Sequence, residues 1–340
     1  MKHFPALIVL ALCAPLLAVG AQKRAANAFD LQRPEIREFA HGAAERTGYT
    51  QQQILDLLRQ ARSQRSILDA MDRPAERTLA WWEYRDRLLT EQRIDEGVAF
   101  YRTHRAELDR TATERGVPAE YIVAVLGVET RYGRNTGRYR VLDALATLSF
   151  DFPARAPFFR KELEQFLQLA NEGYLDALGA TGSYAGAMGA PQFMPSSFRN
   201  FAVDAHGGER PDLWTDWPDV FASVANYFVA NGWRTGEPVL ANATGGNGVD
   251  DPGKFKLELA DSVATIRSRS YGFSTTQGDD APAVLVPAEL QDSVAWRVGF
   301  QNFYVITRYN RSIRYAMAVH DLAVSIAERV DLTAIATAAK

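Results

Sequence analysis

The sequence predicts a mainly α fold of the α+β class, and two observations carry that reading. Apolar residues recur at three-to-four spacing over most of the chain, as one stripe of a helix requires, whereas period-two alternation is confined to short stretches near residues 255–287. With 340 residues, 47% apolar and 23% charged, the chain can bury one large core or two to three subdomains. It is neither a disordered nor a coiled-coil composition.

The opening segment MKHFPALIVLALCAPLLAVGAQ has a short basic start, an apolar run from Leu7 to Val19 and small residues at Val19, Gly20 and Ala21. That pattern reads as a signal peptide, residues 1–21, cleaved near Gly20 or Ala21. The run is shorter than the ~20 residues a spanning helix needs, and no later segment is apolar enough to be a transmembrane segment. Cys13, the only cysteine, lies inside the run, so the mature chain holds no thiol or disulfide. A lipid anchor calls for a small residue before the cysteine, where Leu12 stands, so the chain is expected to be exported in soluble form.

Residues 30–115 read as helices, with Ile94, Val98, Tyr101 and Leu108 at helical spacing. Gly116 and Pro118 punctuate the entry into the next helix. Further helices are expected at 157–178, 218–231 and 312–330. The turn-rich ANATGGNGVDDPG (residues 241–253), the alternating FKLEL (255–259) and AVLVP (283–287) predict a small β-rich insertion.

One helix carries a misplaced charge. In PAEYIVAVLGVETRYG (residues 118–133), Ile122, Val125, Leu126 and Glu129 stand at i, i+3, i+4 and i+7, in a single stripe. The other positions are mostly small or apolar, so the helix should be enclosed by protein and Glu129 poorly solvated. Its pKa should then rise, as a general acid requires. The competing reading is a structural acid paired with Arg131 or Arg134 just beyond.

Other chemistries find no support. The five histidines are scattered, and no HExxH, cysteine pair, GxSxG elbow or phosphate loop is present. A net charge of −3 and a pI near 6.0 give no basic footprint, so nucleic acid is not expected as a partner. What remains is GSYAGAMGAPQFMPSSFRNFAVD (residues 182–204), whose small residues leave room for a ligand, and a run of aromatics from Phe303 to Tyr315 suited to sugar rings. A tight turn capped by Ser196, and plain core aromatics, explain the same residues equally well.

Five segments in order resemble the lytic murein transglycosylase B family: GVETRYG (127–133), LDALATLSFDFPARAPFF (142–159), GSYAGAMGAPQFMPSSF (182–198), SVANYFVANGW (223–233) and FYVITRYNRSIRYAMAVHDLA (303–323). The resemblance implies a lysozyme-like, goose-type helical core at 116–235 and 301–332, an N-terminal helical region at 22–115 and the β-rich insertion at 236–300. It implies a peptidoglycan lytic transglycosylase that cleaves the bond between N-acetylmuramic acid (MurNAc) and N-acetylglucosamine (GlcNAc) and leaves 1,6-anhydro ends without consuming water. Glu129 matches the single catalytic acid/base. Ser183, Gln192, Arg155, Tyr84, Tyr227, Tyr309, Asn310 and Tyr315 match substrate-binding positions. The implied location is the periplasm and the implied partner the glycan strands of the cell wall, with recruitment by wall-synthesis or division proteins left open.

Two alternatives accompany this reading. A lysozyme-type muramidase would need a second carboxylate, for which Asp143 and Asp151 are nearest in sequence, though cap or surface roles suit both better. A non-catalytic wall-binding scaffold is at odds with an intact GVETRYG. No cofactor is required. Some relatives carry a calcium loop of EF-hand type where this chain has DAHGGERPDLWTDWPD (204–219); Asp204, Asp212, Asp216 and Asp219 offer oxygens, but His206 and Gly208 stand at the third and fifth loop positions.

Overall fold

Helices α1 (Pro34–Thr47), α2 (Gln51–Gln60), α3 (Arg65–Met71), α4 (Trp81–Leu88), α5 (Glu91–Thr103) and α6 (Arg105–Arg115) fill the first third of the computed structural model. It describes residues 27–72 and 79–338, so the expected signal peptide lies outside the described residues. Local chemistry sets the helix ends. Thr50 and Gln53 form a reciprocal capping box at α2, and the Thr90 side chain accepts from Arg93 N at 3.2 Å at α5. Gly48 and Gly116, at φ 77° and 68°, take the left-handed conformation that closes α1 and α6.

Helix α7 (Ala119–Thr130) follows and is enclosed as expected. Ile122, Val125 and Leu126 are all at 0% exposure, so truncating one of them to alanine would cost about 2–5 kcal/mol. After it come β1 (Tyr139–Arg140), α8 (Val141–Phe150), α9 (Ala156–Asn171), β2 (Thr181–Gly182), α10 (Pro195–Phe201) and α11 (Trp217–Ala230). Strands β3 (Leu240–Gly245), β4 (Asp261–Ser262), β5 (Tyr271–Gly272), β6 (Pro282–Glu289) and β7 (Val294–Gly299) then appear, with α12 (Val263–Ser268) among them. Helices α13 (Gln301–Tyr309) and α14 (Ile313–Ala338) complete the chain, and α14 packs along α7 and α5.

The five strands form one antiparallel sheet in the order β4-β6-β7-β3-β5. Period-two alternation along β6 decides where it sits: Val284, Val286 and Ala288 join the main core, while Ala283 and Leu285 face a second cluster with Val263, Ile266, Val298 and Phe300. The sheet is therefore covered on both faces. Strands β1 and β2 form a separate two-residue antiparallel ladder, Tyr139 opposite Gly182.

Two expectations need correction. FKLEL is not a strand, because residues 255–259 make no ladder; Phe255, Leu257 and Leu259 nonetheless pack against the main core, so the alternation recorded burial rather than pairing. The helix expected over 157–178 stops at Asn171, just before Gly173 turns left-handed at φ 81°. No helix of the described residues is long and apolar enough to cross a membrane.

Candidate active site

The turn after α7 is built by its own sequence. Arg131 and Tyr132 adopt φ 51° and 59°, a costly conformation for side-chain-bearing residues, and Tyr132 folds back so that its hydroxyl donates to Arg93 O at 2.8 Å. A Cβ on Gly127 would come within 2.7 Å of that hydroxyl, which is why the helix carries glycine there. Thr130 Oγ1 accepts from Gly133 N at 3.0 Å and donates to Ala190 O at 2.9 Å, tying the helix end to the 183–193 loop. Glu129 is thereby held one residue from a rigid helix terminus.

Its surroundings settle the competing reading. Arg131 and Arg134 both go to Glu96, at 2.7 Å each, and their charges hold the Glu96 carboxyl down at about 2. Glu129 instead accepts a 2.7 Å hydrogen bond at Oε1 from the Tyr315 hydroxyl. Half-buried, it lines a cavity of about 280 Å³ with Leu79, Tyr84, Arg87, Leu88 and Tyr315. Among the described residues lining that cavity it is the sole carboxylate. Burial first, and the Glu129 charge second, push the Tyr315 phenol well above its usual value, so Tyr315 stays a hydrogen-bond donor at any working pH.

A larger trench of about 1250 Å³ lies on the other side of Tyr309, whose ring stacks on Tyr315 at 6.3 Å and 13°. Arg155 and Asn310 line this trench, Arg155 resting over Phe158 at 4.7 Å. Tyr309 donates to Pro191 O at 2.6 Å, which anchors the loop that presents Gln192. Gln192 sits at φ 52°, with Nε2 donating to Thr136 O and Gly189 O at 3.0 Å each. Another pocket, about 340 Å³ beside Tyr174 and Asp204, holds no member of this constellation.

The structure thus brings Glu129, Tyr84 and Tyr315 to one cavity and Tyr309, Asn310 and Arg155 to the adjoining trench. Other predicted positions act on the frame. Ser183 Oγ accepts from the amides of Ala187 (3.0 Å) and Ala185 (3.3 Å), fixing its own turn, and Tyr227 is buried with its hydroxyl on Arg308 O at 2.6 Å. Neither Ser183, Gln192 nor Tyr227 lines the Glu129 cavity. Ser196 does not cap α10: it lies within the helix, whose N-cap is Met194, and buried Glu162 accepts from its amide at 2.9 Å and its hydroxyl at 2.7 Å. Sequence reasoning missed Glu162, along with Leu79, Arg87 and Leu88; no spacing signal marks them.

The 204–219 loop departs from the EF-hand pattern, although His206, Asp216 and Asp219 each bring one potential ligand atom within 4.8 Å of the others. Asp219, 3% exposed, accepts from Ala205 N at 2.7 Å and Asp212 N at 2.8 Å, while Asp212 accepts from Trp214 N at 2.7 Å and Asp204 from His206 N at 2.9 Å. His206 Nε2 lies 3.2 Å from Asp216 Oδ2. The carboxylates already have internal donors, and an imidazole stands where a hard cation wants oxygen.

Comparison with known proteins agrees with this geometry. Residues 31–324 match the transglycosylase SLT domain family. The chain is 39% identical over 303 residues to membrane-bound lytic murein transglycosylase B of Escherichia coli (strain K12), covering 86% of this chain and 83% of that protein. The crystal structure of soluble lytic transglycosylase SltB1 from Pseudomonas aeruginosa superposes with a TM-score of 0.79 at 47% identity, covering 87% of this chain and 99% of that one. SltB3 from the same organism, solved in complex with NAG-anhNAM-pentapeptide, superposes with a TM-score of 0.73 at 28% identity, covering 85% and 78%. The chain belongs to the transglycosylase SLT domain family and, within it, to the lytic murein transglycosylases of the B type.

Proposed function

We propose that Glu129 is the single acid/base of a reaction that cleaves the β-1,4 bond between MurNAc and GlcNAc in peptidoglycan. The enzyme is a lytic transglycosylase. Glu129 gives its proton to the leaving glycosidic oxygen while the N-acetyl carbonyl of the muramic residue assists at the anomeric carbon. The resulting carboxylate then takes the proton of the muramic C6 hydroxyl as that oxygen closes the 1,6-anhydro ring. No water is consumed, and the intramolecular nucleophile gains from proximity.

One observation carries this reading: a lone carboxylate, oriented by Tyr315, lines the cavity. A hydrolase would need a partner acid, and Asp143 and Asp151 are engaged elsewhere, Asp143 by Arg62 N at 2.9 Å and Asp151 by Arg33 at 2.7 Å. Tyr309, Asn310, Arg155 and Gln192 are assigned to binding the strand, with Ser183 and Tyr227 shaping the walls. The glycan-peptide ligand of SltB3 supports a similar substrate here.

Replacing Glu129 by Gln should lower muropeptide release by at least about 10² to 10⁴-fold. Thermal unfolding should stay unchanged. Mass analysis of wild-type products should give ends lighter by one water than hydrolysed ones. Water-added ends would install the muramidase reading, and equal release by the Glu129→Gln variant would discard Glu129 as the acid.

Residues 1–21 are assigned to export into the periplasm, checked by finding a shortened chain in the periplasmic fraction; full-length protein there contradicts it. The helical region 22–115, the core 116–235 with 301–332 and the insertion 236–300 are assigned as separate structural units. Limited proteolysis should cut first at their junctions, and cuts within the core would count against the division.

A further inference from the structure

The β-rich part of the chain holds a concavity of its own, about 320 Å³, which shares only Phe255 with the trench and no residue with the Glu129 cavity. Half-buried Trp296, on β7, forms part of its wall, and buried Tyr271 braces that ring edge-on at 6.0 Å and 63°. Val249, an apolar residue left 67% exposed, lines it as well. The polar wall is centred on Arg269, whose Nη1 donates to Asp250 Oδ1 at 2.8 Å and whose Nη2 donates to Asp261 Oδ2 at 2.6 Å.

The backbone is arranged to hold this array. Gly246 N donates to Ser270 O at 2.9 Å and Asn247 N to Arg269 O at 3.0 Å, which ties the turn after β3 to the end of α12. Ser270 stands at φ 67°; the other side-chain-bearing residues at positive φ among those described are Arg131, Tyr132 and Gln192, all part of the candidate active site. Asp250 Oδ2 and Arg269 Nε are enclosed without a hydrogen-bond partner, so the array is short of one donor and one acceptor. A hydroxyl supplies both. Four carboxylates against three basic side chains line the pocket, so an anion gains nothing there. A braced indole beside groups that both give and accept hydrogen bonds suits a neutral sugar, whose C–H face covers the ring while its hydroxyls meet the array.

We propose that this pocket is a second glycan-binding site, separate from the cleft, that takes a neutral N-acetylglucosamine ring against Trp296. Muramic rings carry a carboxylate or a stem, which leaves the neutral ring as the one that fits. That the sugar comes from the cell wall rests on the reading that the substrate is peptidoglycan. The site touches no reacting atom, so it holds the enzyme on large wall fragments and acts on KM alone.

The experiment compares intact wall sacculi with a short soluble fragment that fills only the cleft. In Trp296→Ala and in Asp261→Ala, which leaves Arg269 its pair with Asp250, KM on sacculi should rise about fivefold or more, with kcat and all constants on the short fragment unchanged. Trp296→Phe should recover much of the loss. In the Glu129→Gln protein, the neutral tetramer of N-acetylglucosamine should shift the Trp296 indole N–H resonance, identified by its absence from Trp296→Ala. An unchanged KM on sacculi, an equal loss on both substrates, or a resonance that stays in place overturns the proposal. Anhydro ends from the wild type in such a case leave the transglycosylase reading standing, whereas water-added ends overturn that reading as well.

Discussion

The hydroxyl of Tyr315 donates a 2.7 Å hydrogen bond to Oε1 of Glu129 across a separation of 186 residues. One carboxyl oxygen is thereby held in place by a buried phenol from α14. Tyr315→Phe should lower kcat by about 10- to 100-fold, because a misoriented acid loses much of the advantage of position. KM should change less, and a kcat equal to wild type would remove Tyr315 from the catalytic arrangement.

Glu96 gathers Arg131 and Arg134 away from the end of α7. Arg131 is 40% and Arg134 61% exposed, so solvent screens much of the attraction; Glu96→Gln should cost about 1 kcal/mol in denaturant unfolding. The folded carboxyl titrates near 2, below its ordinary 4.5, so the contribution is complete above pH 4.5 and disappears as pH falls through 2. A difference between variant and wild type that grew on acidification would contradict this assignment.

Burial pushes His320 from 6.5 down to about 4, with Asp321 opposing the shift and Arg297 adding to it. Its Nδ1 lies 2.7 Å from the Tyr121 hydroxyl. The unfolded chain binds a proton here that the folded chain refuses, so the contribution is complete above pH 6.5 and is lost as pH falls toward 4. The loss amounts to at most about 3 kcal/mol. His320→Gln should flatten the unfolding free energy over that window, and an unaltered slope would assign it to other groups.

Chelation should leave the melting temperature within about 1 °C of its starting value, and added calcium should do the same, because the loop carboxylates are satisfied by amides of their own chain. A marked drop on chelation would restore a metal to residues 204–219.

Glu129 was legible because a helix has a fixed period: three enclosed apolar neighbours made one acid conspicuous without any tertiary knowledge. The identity of its partner was not. Tyr315 read equally well as a core aromatic, and only the packing of α14 on α7 turned it into a donor. Arg131 and Arg134 were the nearest cations in sequence to Glu129, yet Glu96, on a separate helix, outcompeted it for both. The β1–β2 ladder has two residues per strand and shows no pattern to detect, whereas FKLEL shows a pattern without forming a strand.

Glu289 is the knot where three stretches of backbone converge: it stands on β6, receives the Trp81 amide and grips Arg314. That acid adds a polar tie between the sheet and the helices beneath it, beside the Arg297–Asp321 pair from the neighbouring strand. Exchanging the sheet with that of a relative would keep this tie only if the donor brought an acid to the same place. Without it, Arg314 would be left with no anion, and the two halves of the binding surface would lose their common latch.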